Sequence, residues 1–237
     1  MSVEKNQFNQ PVGTSLPHWQ GALLPGDDVL CGRYCQLEPL DIDKHSDALF
    51  TAFCDPFDFS AWTYLAYPAE PVEDKAAFIA YLQAISPGND PRHYAIIDSE
   101  TGQAVGTIAL MRIDKHNGVI EIGYVTFSAR LKRTRIATEA VYLLLKLVFE
   151  TPGYRRVEWK CNALNTPSKQ SALRFGFTIE GLFRQSAVVR GHNRDTAWFS
   201  MLDHEFLTIK SSYDDWLAED NFYPDGRQKA ALQARRA

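Results

Sequence analysis

The sequence predicts an α+β fold with a mixed, mostly antiparallel sheet crossed by one central helix. Three observations carry this expectation. Residues 93–98, 104–114 and 119–127 read as three strands joined by tight turns, which is the signature of an antiparallel meander. In the stretch 132–150, Val141, Leu144, Leu145, Val148 and Phe149 recur at three- and four-residue spacing, and Ala137 and Ala140 extend the stripe, so one helical face is built for burial. A further strand at 155–162 follows that helix. The passage from 119 to 161 then requires a crossover connection, which makes this part of the sheet parallel or splayed.

The 237 residues can bury a substantial core, as one domain with extensions or as two small domains. A hydrophobic share of 45% and a net charge of −4 are those of an ordinary globular protein, with nothing to mark nucleic acid as the main partner. The N-terminus lacks an apolar leader run and no stretch reaches the length of a membrane span, so a cytoplasmic protein without a membrane partner is expected. Cys31, Cys35, Cys54 and Cys161 are scattered, with no Cys-x-x-Cys pair and no histidine at ligand spacing. Reduced thiols are expected, with neither a metal site nor a disulfide framework.

Taken in order, residues 1–32 are polar and punctuated by Pro11, Pro17, Pro25 and Gly26, which predicts an extended arm that Phe8 and Trp19 anchor locally. Residues 33–38 suit a first strand ended by Pro39, and Asp41 or Asp43 offers an N-cap for a helix through Ala48, Leu49, Ala52 and Phe53. An aromatic loop follows, with Phe57, Phe59, Trp62, Tyr64 and Tyr67 between prolines 56, 68 and 71. Such aromatics either pin a loop to the core or line a pocket; Trp62 and Tyr64 are the substrate-binding candidates under the second reading.

A second helix is expected after Pro71, with Glu73 and Asp74 in its first turn and Phe78, Ile79 and Leu82 on its buried face. Beyond the central helix, Val157, Trp159 and Cys161 alternate with Arg156, Glu158 and Lys160 along one strand. A short helix is expected over 167–174, then a hairpin of 183–190 and 195–202 turning at Gly191-His192-Asn193. The end of the chain is expected to pack only through Trp216, Leu217 and Phe222. These readings divide the chain into an arm (1–32), a main domain (33–206) and a C-terminal extension (207–237).

Several short words in this order resemble one family. They are Glu121-Ile122-Gly123-Tyr124 before the central helix, Ala137-Thr138-Glu139-Ala140 opening it, and Asn165-Thr166-Pro167-Ser168 followed by Phe175-Gly176-Phe177. Across residues 33–206 the chain resembles the GCN5-related N-acetyltransferases (GNAT), and within them the branch of ribosomal-protein N-terminal acetyltransferases. The resemblance implies strands 119–127 and 155–161 splaying into a slot for acetyl-CoA, the pantetheine alongside Tyr124, Val125 and Phe127. It places the pyrophosphate at the helix entrance formed by Lys132, Arg133, Thr134, Arg135, Ile136, Ala137 and Thr138, where backbone N–H groups and the helix dipole favour an anion. It also implies cofactor contacts from Asn165, with Ser168 nearby; the plainer role for Asn165 is a helix cap.

The chain departs from the family at two positions where glycines are usual, occupied here by Arg133 and Arg135. Losing them forces the loop to negative φ or to strain. Either the arginines point outwards and add charge-assisted contacts to the pyrophosphate or 3′-phosphate, or the site is impaired. The first is favoured, because cations at a helix N-terminus are misplaced without an anion.

Glu121 is the candidate catalytic base. Strand alternation groups it with Val119, Gly123, Val125 and Phe127 on an apolar face suited to a base poised near neutrality. The plainer reading pairs it with a basic side chain on a neighbouring strand. The tyrosine that many relatives use as acid corresponds to Ala172, which leaves the proton donor to Tyr124, Ser168 or water. His93 and His192 read as surface or strand-end residues, and Arg184, Arg190 and Arg194 either bind an acidic acceptor or pair with Asp195 and Glu205.

The expected function is transfer of acetyl from acetyl-CoA directly to a primary amine, on a small molecule or a peptide N-terminus; a homodimer is left open. The rivals are a non-catalytic acyl-CoA-binding or scaffold protein on the same fold and a nucleotide-binding module. The second lacks a Gly-Lys-Ser/Thr phosphate-loop word.

Overall fold

The computed structural model describes residues 3–54, 62–65, 72 and 74–234. Phe57, Phe59, Tyr67, Glu73 and the prolines at 56, 68 and 71 lie outside them. A two-stranded ribbon, β1 (Glu4–Lys5) with β2 (Pro11–Val12), precedes β3 (Leu30–Cys31), β4 (Cys35–Pro39), α1 (Ile42–Cys54), α2 (Lys75–Ile85), β5 (Arg92–Asp98), β6 (Ala104–Asp114) and β7 (Val119–Phe127). Then come α3 (Arg135–Glu150), β8 (Arg156–Asn162), α4 (Thr166–Arg174), β9 (Thr178–Val189), β10 (His192–Leu202) and α5 (Asp203–Trp216).

The strands from β3 onward form one eight-stranded sheet in the order β3-β4-β5-β6-β7-β8-β10-β9. Every neighbouring pair is antiparallel except β7 and β8, which the crossover through α3 makes parallel. The expected α+β class with a mixed sheet is therefore what forms.

Two cores cover the two faces. On one face α3, α4 and α5 pack against Leu37, Tyr94, Ile108, Ile120, Val157 and Phe199. On the other, Leu49 of α1 and Phe78 and Leu82 of α2 pack with Ala95 and Ile97 of β5 and with Trp62. Helix α2 starts where Asp74 caps it, its carboxylate accepting from Ala77 N at 2.8 Å; Asp74 is thus the cap and not a first-turn residue.

Four expectations need correction. Helix α3 is buried all around from Ala137 to Leu145, not along one stripe. The cause is α5, a helix absent from the expectation: Tyr213 stacks on Tyr142 at 4.8 Å and Phe206 on Phe149 at 5.0 Å, so the outer face of α3 is covered too. Strand β9 begins at Thr178 rather than 183, running through Gly181, which pairs with Trp198 beside a register shift. The chain end packs through Leu232 and Ala234 as well as Trp216, Leu217 and Phe222. Of the two aromatics expected to anchor the arm, Trp19 does so, donating Nε1–H to the His116 carbonyl at 2.8 Å, while Phe8 is exposed. Trp19 lies against Gly118, whose φ of +64° makes the Asn117-Gly118 turn.

Candidate active site

Strands β7 and β8 hold only three register pairs, Val119 with Arg156, Ile120 with Val157 and Glu121 with Glu158. Beyond them both strands continue, β7 to Phe127 and β8 to Asn162, without pairing to each other. The sheet therefore opens into a cleft whose apex is Glu121.

A bulge shapes the β7 wall of this cleft. Tyr124 has φ +46°, and the pairing to β6 shifts register between Thr107 and Ala109. One residue is inserted, so the side-chain parity reverses. Ile120 and Ile122 face the α3 core, and past the bulge Val125 and Phe127 do so as well, while Tyr124 joins the α1/α2 side. The expected grouping of Glu121 with Val125 and Phe127 is thereby corrected: simple alternation cannot register an inserted residue.

The apolar setting expected for Glu121 is corrected too. Glu121 is 4% exposed, and its Oε2 accepts from Arg112 Nη1 at 2.6 Å and Lys160 Nζ at 2.9 Å. Lys160 also meets Glu158 at 2.7 Å and sits 3.9 Å from the Trp198 ring centroid. The row continues outward as Arg156 bridges Glu158 at 2.8 Å and Glu180 at 2.7 Å, and Ser200 Oγ–H donates to Glu180. Burial pushes the Glu158 carboxyl up, but Lys160 and Arg156 outweigh it and hold the group below the usual range; the Arg156 guanidinium holds Glu180 down at about 2. The alternation of Arg156, Glu158 and Lys160 was the available sequence signal for this row. The parallel register that brings Glu121 to it was not legible. Arg112 carried no signal.

The α3 entrance forms the second part of the site. Thr134 is the N-cap, its Oγ1 accepting from Ala137 N at 3.3 Å and donating to the Leu131 carbonyl at 2.8 Å. Arg135 and Ile136 are first-turn residues whose N–H groups have no intrahelical acceptor, which suits an anion. The two positions where relatives carry glycine behave differently. Arg133 keeps a glycine-type backbone with φ +65°, bearing strain of about 1–3 kcal/mol, whereas Arg135 is ordinary helix. The Arg135 guanidinium lies 4.2 Å from the Tyr34 ring centroid and 5.4 Å from that of Phe222, so in this structure it stacks instead of pointing outwards. Lys132 stands beside Arg133 on the loop, and both are exposed. Thr138, one turn in, accepts from Arg174 Nη1 at 2.9 Å; Arg174 also lies over Trp216 and was missed in the sequence.

Asn165 caps α4, its Oδ1 accepting from Ser168 N at 3.2 Å, and Ser168 Oγ accepts from Trp159 Nε1 at 3.0 Å. Trp62 is buried against Phe53 and Tyr81, the pinning role, and half-exposed Tyr64 donates to the Leu164 carbonyl at 3.3 Å. Arg190 ties this segment to the β9–β10 hairpin by donating to the carbonyls of Trp62 (3.2 Å) and Leu65 (3.1 Å). Asp195 accepts from Gln185 N and Asn193 Nδ2, and these hydrogen bonds, with the Arg184 charge nearby, hold its carboxyl below the usual range; Glu205 accepts from Leu202 N. His93 is buried, not a surface residue; its ring meets Tyr124 at 4.8 Å, and burial pulls its pKa down to about 4. Among the described residues no cluster of three His, Cys, Asp or Glu side chains forms a metal site, and no helix is long and apolar enough to cross a membrane.

A cleft opening at a buried carboxylate, beside a helix start fit for an anion, can hold a phosphate-bearing carrier and present an acceptor to it. Comparison with known proteins agrees with this geometry. A family model described as an acetyltransferase (GNAT) domain matches residues 36–178. The crystal structure of a GCN5-related N-acetyltransferase from Brucella melitensis is 44% identical and superposes with a TM-score of 0.87, covering 92% of this chain and 98% of that one. An uncharacterized N-acetyltransferase, p20 of Bacillus licheniformis, is 30% identical over 139 residues, 59% of this chain and 78% of the relative. RimL, a ribosomal L7/L12 alpha-N-protein acetyltransferase solved in complex with coenzyme A, shares the fold at 20% identity, with a TM-score of 0.61 over 74% of this chain and 98% of its own. The chain belongs to the GNAT family of N-acetyltransferases.

Proposed function

We propose that this enzyme moves acetyl from acetyl-CoA to a primary amine, either a protein N-terminus or a small amine, in the cytoplasm. The observation that carries the reading is the divergence of β7 and β8 after three pairs, with the α3 entrance beside it. RimL, a relative by fold that acetylates a protein N-terminus and binds coenzyme A, supports both the donor and the protein-type acceptor. In this reading the β7 edge at Tyr124, Val125 and Phe127 lies along the carrier arm, and the free N–H groups of Arg135 and Ile136 meet its pyrophosphate. Lys132 and Arg133 add charge from the loop. Arg135 contributes its backbone, its side chain being stacked on Tyr34 and Phe222. Asn165 and Ser168 border the cleft from α4, and Tyr64 flanks the acceptor entry.

The amine nitrogen attacks the thioester carbonyl, a C–N bond forms and the C–S bond breaks. Glu121 accepts one proton from the ammonium to free the attacking amine, and the second proton, shed by nitrogen after attack, passes through water to the departing thiolate. No protein nucleophile is involved.

Acetyl-CoA is expected to raise the melting temperature, whereas ATP at the same concentration does not. No shift at millimolar acetyl-CoA overturns the donor assignment. A shift without thiol release over a panel of amines and free-N-terminal peptides favours a non-catalytic acyl-CoA-binding protein.

A further inference from the structure

The two cations on Glu121 Oε2 differ in how they are held. Lys160 is 9% exposed and fixed from three sides by Glu121, Glu158 and the Trp198 ring. The Arg112 side chain is 60% exposed, and Glu121 is the ion-pair partner of its guanidinium. Its main chain, by contrast, is clamped. Asp90 accepts from Arg112 N at 2.8 Å and from Ile113 N at 2.9 Å, holding Arg112 at φ +49°. A rigid backbone thus carries a solvent-exposed arm whose tip rests on the buried carboxylate at the apex of the cleft.

We propose that the Arg112 guanidinium occupies on Glu121 the position that the acceptor's ammonium takes, so that Arg112 is a displaceable internal cation with which the acceptor competes. This rests on the reading of Glu121 as the acceptor-side carboxylate. Stripping a buried carboxylate of a partner is costly, but exchanging one cation for another avoids that cost. The released guanidinium, already largely exposed, returns to water. A cationic amine can make this exchange and a neutral alcohol cannot, so the device selects amines over hydroxyl acceptors.

The test compares the wild type with Arg112→Ala and Arg112→Lys, using n-butylamine and tetra-alanine with a free N-terminus as acceptors. Arg112→Ala is expected to lower the KM for the amine about fivefold, the equivalent of roughly 1 kcal/mol of removed competition. Methylguanidinium added to Arg112→Ala should inhibit competitively against the amine and not against acetyl-CoA, while Arg112→Lys keeps the wild-type KM. An unchanged or raised KM in Arg112→Ala overturns the proposal. Calorimetric titration of n-butylamine into both proteins with coenzyme A bound makes the same comparison without turnover: tighter binding to Arg112→Ala supports the displacement, and equal or weaker binding overturns it. Absence of thiol release by the wild type with every amine is a separate result, which counts against the proposed reaction.

Discussion

The two faces of the sheet are built by different rules. The face under α3 is a continuous apolar core, from Leu37 through Ile108, Ile120 and Val157 to Phe199, closed from outside by α5. The opposite face is apolar beneath α1 and α2 and then changes, across β6, β7, β8 and β9, into a row of alternating charges: Arg112, Glu121, Lys160, Glu158, Arg156 and Glu180. Burial of hydrocarbon needs only the right periodicity. Burial of charge needs a partner within reach: Glu158 finds Lys160 and Arg156 on its own strand, but Glu121 is met from β6 and β8 and Glu180 from β8, so the second face depends on register and the first does not.

The α3 face has one telling exception. Glu139 is 3% exposed, and its carboxylate accepts from the backbone N–H groups of Arg33, Tyr34 and Cys35 at 2.7, 2.6 and 2.7 Å. It satisfies the chain just before β4, where no strand partner does so, and also pushes up the pKa of buried Cys35 after burial itself. If the contrast between the faces holds, Glu139→Ala produces the largest loss, roughly 3 kcal/mol or more in denaturant unfolding, because two buried donors, Tyr34 N and Cys35 N, and a part-buried third, Arg33 N, are orphaned at once. A loss below about 1 kcal/mol would mean that water reaches these groups and that the face is less dry than its packing implies.

A smaller effect sharpens the comparison at the cleft. Arg133 bears the backbone strain of a glycine position, so Arg133→Gly is expected to stabilise the fold by about 1 kcal/mol while weakening acetyl-CoA binding, more at low salt than at high. Stabilisation together with tighter binding would show that the arginine merely replaced a glycine. Destabilisation would show that its side chain contributes packing.

Much of the fold was legible because its signals are local. The Asn117-Gly118 turn, the meander and the length of β7 follow from neighbouring residues, and β6 and β7 begin and end where the sequence places them. Helix α5 was missed although Phe206, Ile209, Tyr213 and Trp216 recur at three- and four-residue spacing; what that spacing does not carry is their partner, the outer face of α3. In the candidate site, Glu121 was singled out as a candidate from its place on β7. Its environment was misjudged, since the Tyr124 bulge reverses parity and the partners Arg112 and Lys160 arrive from β6 and β8. Sequence spacing carries neither fact.

The account turns on Glu121 acting at the cleft apex. Thiol release from acetyl-CoA should be measured with a competent amine for the wild type and Glu121→Gln, alongside the melting-temperature response of both proteins to acetyl-CoA. The expected result is a loss in turnover at neutral pH on the order of a hundredfold, with the response to acetyl-CoA retained. Equal turnover across the pH profile would contradict it and remove Glu121 from the reaction.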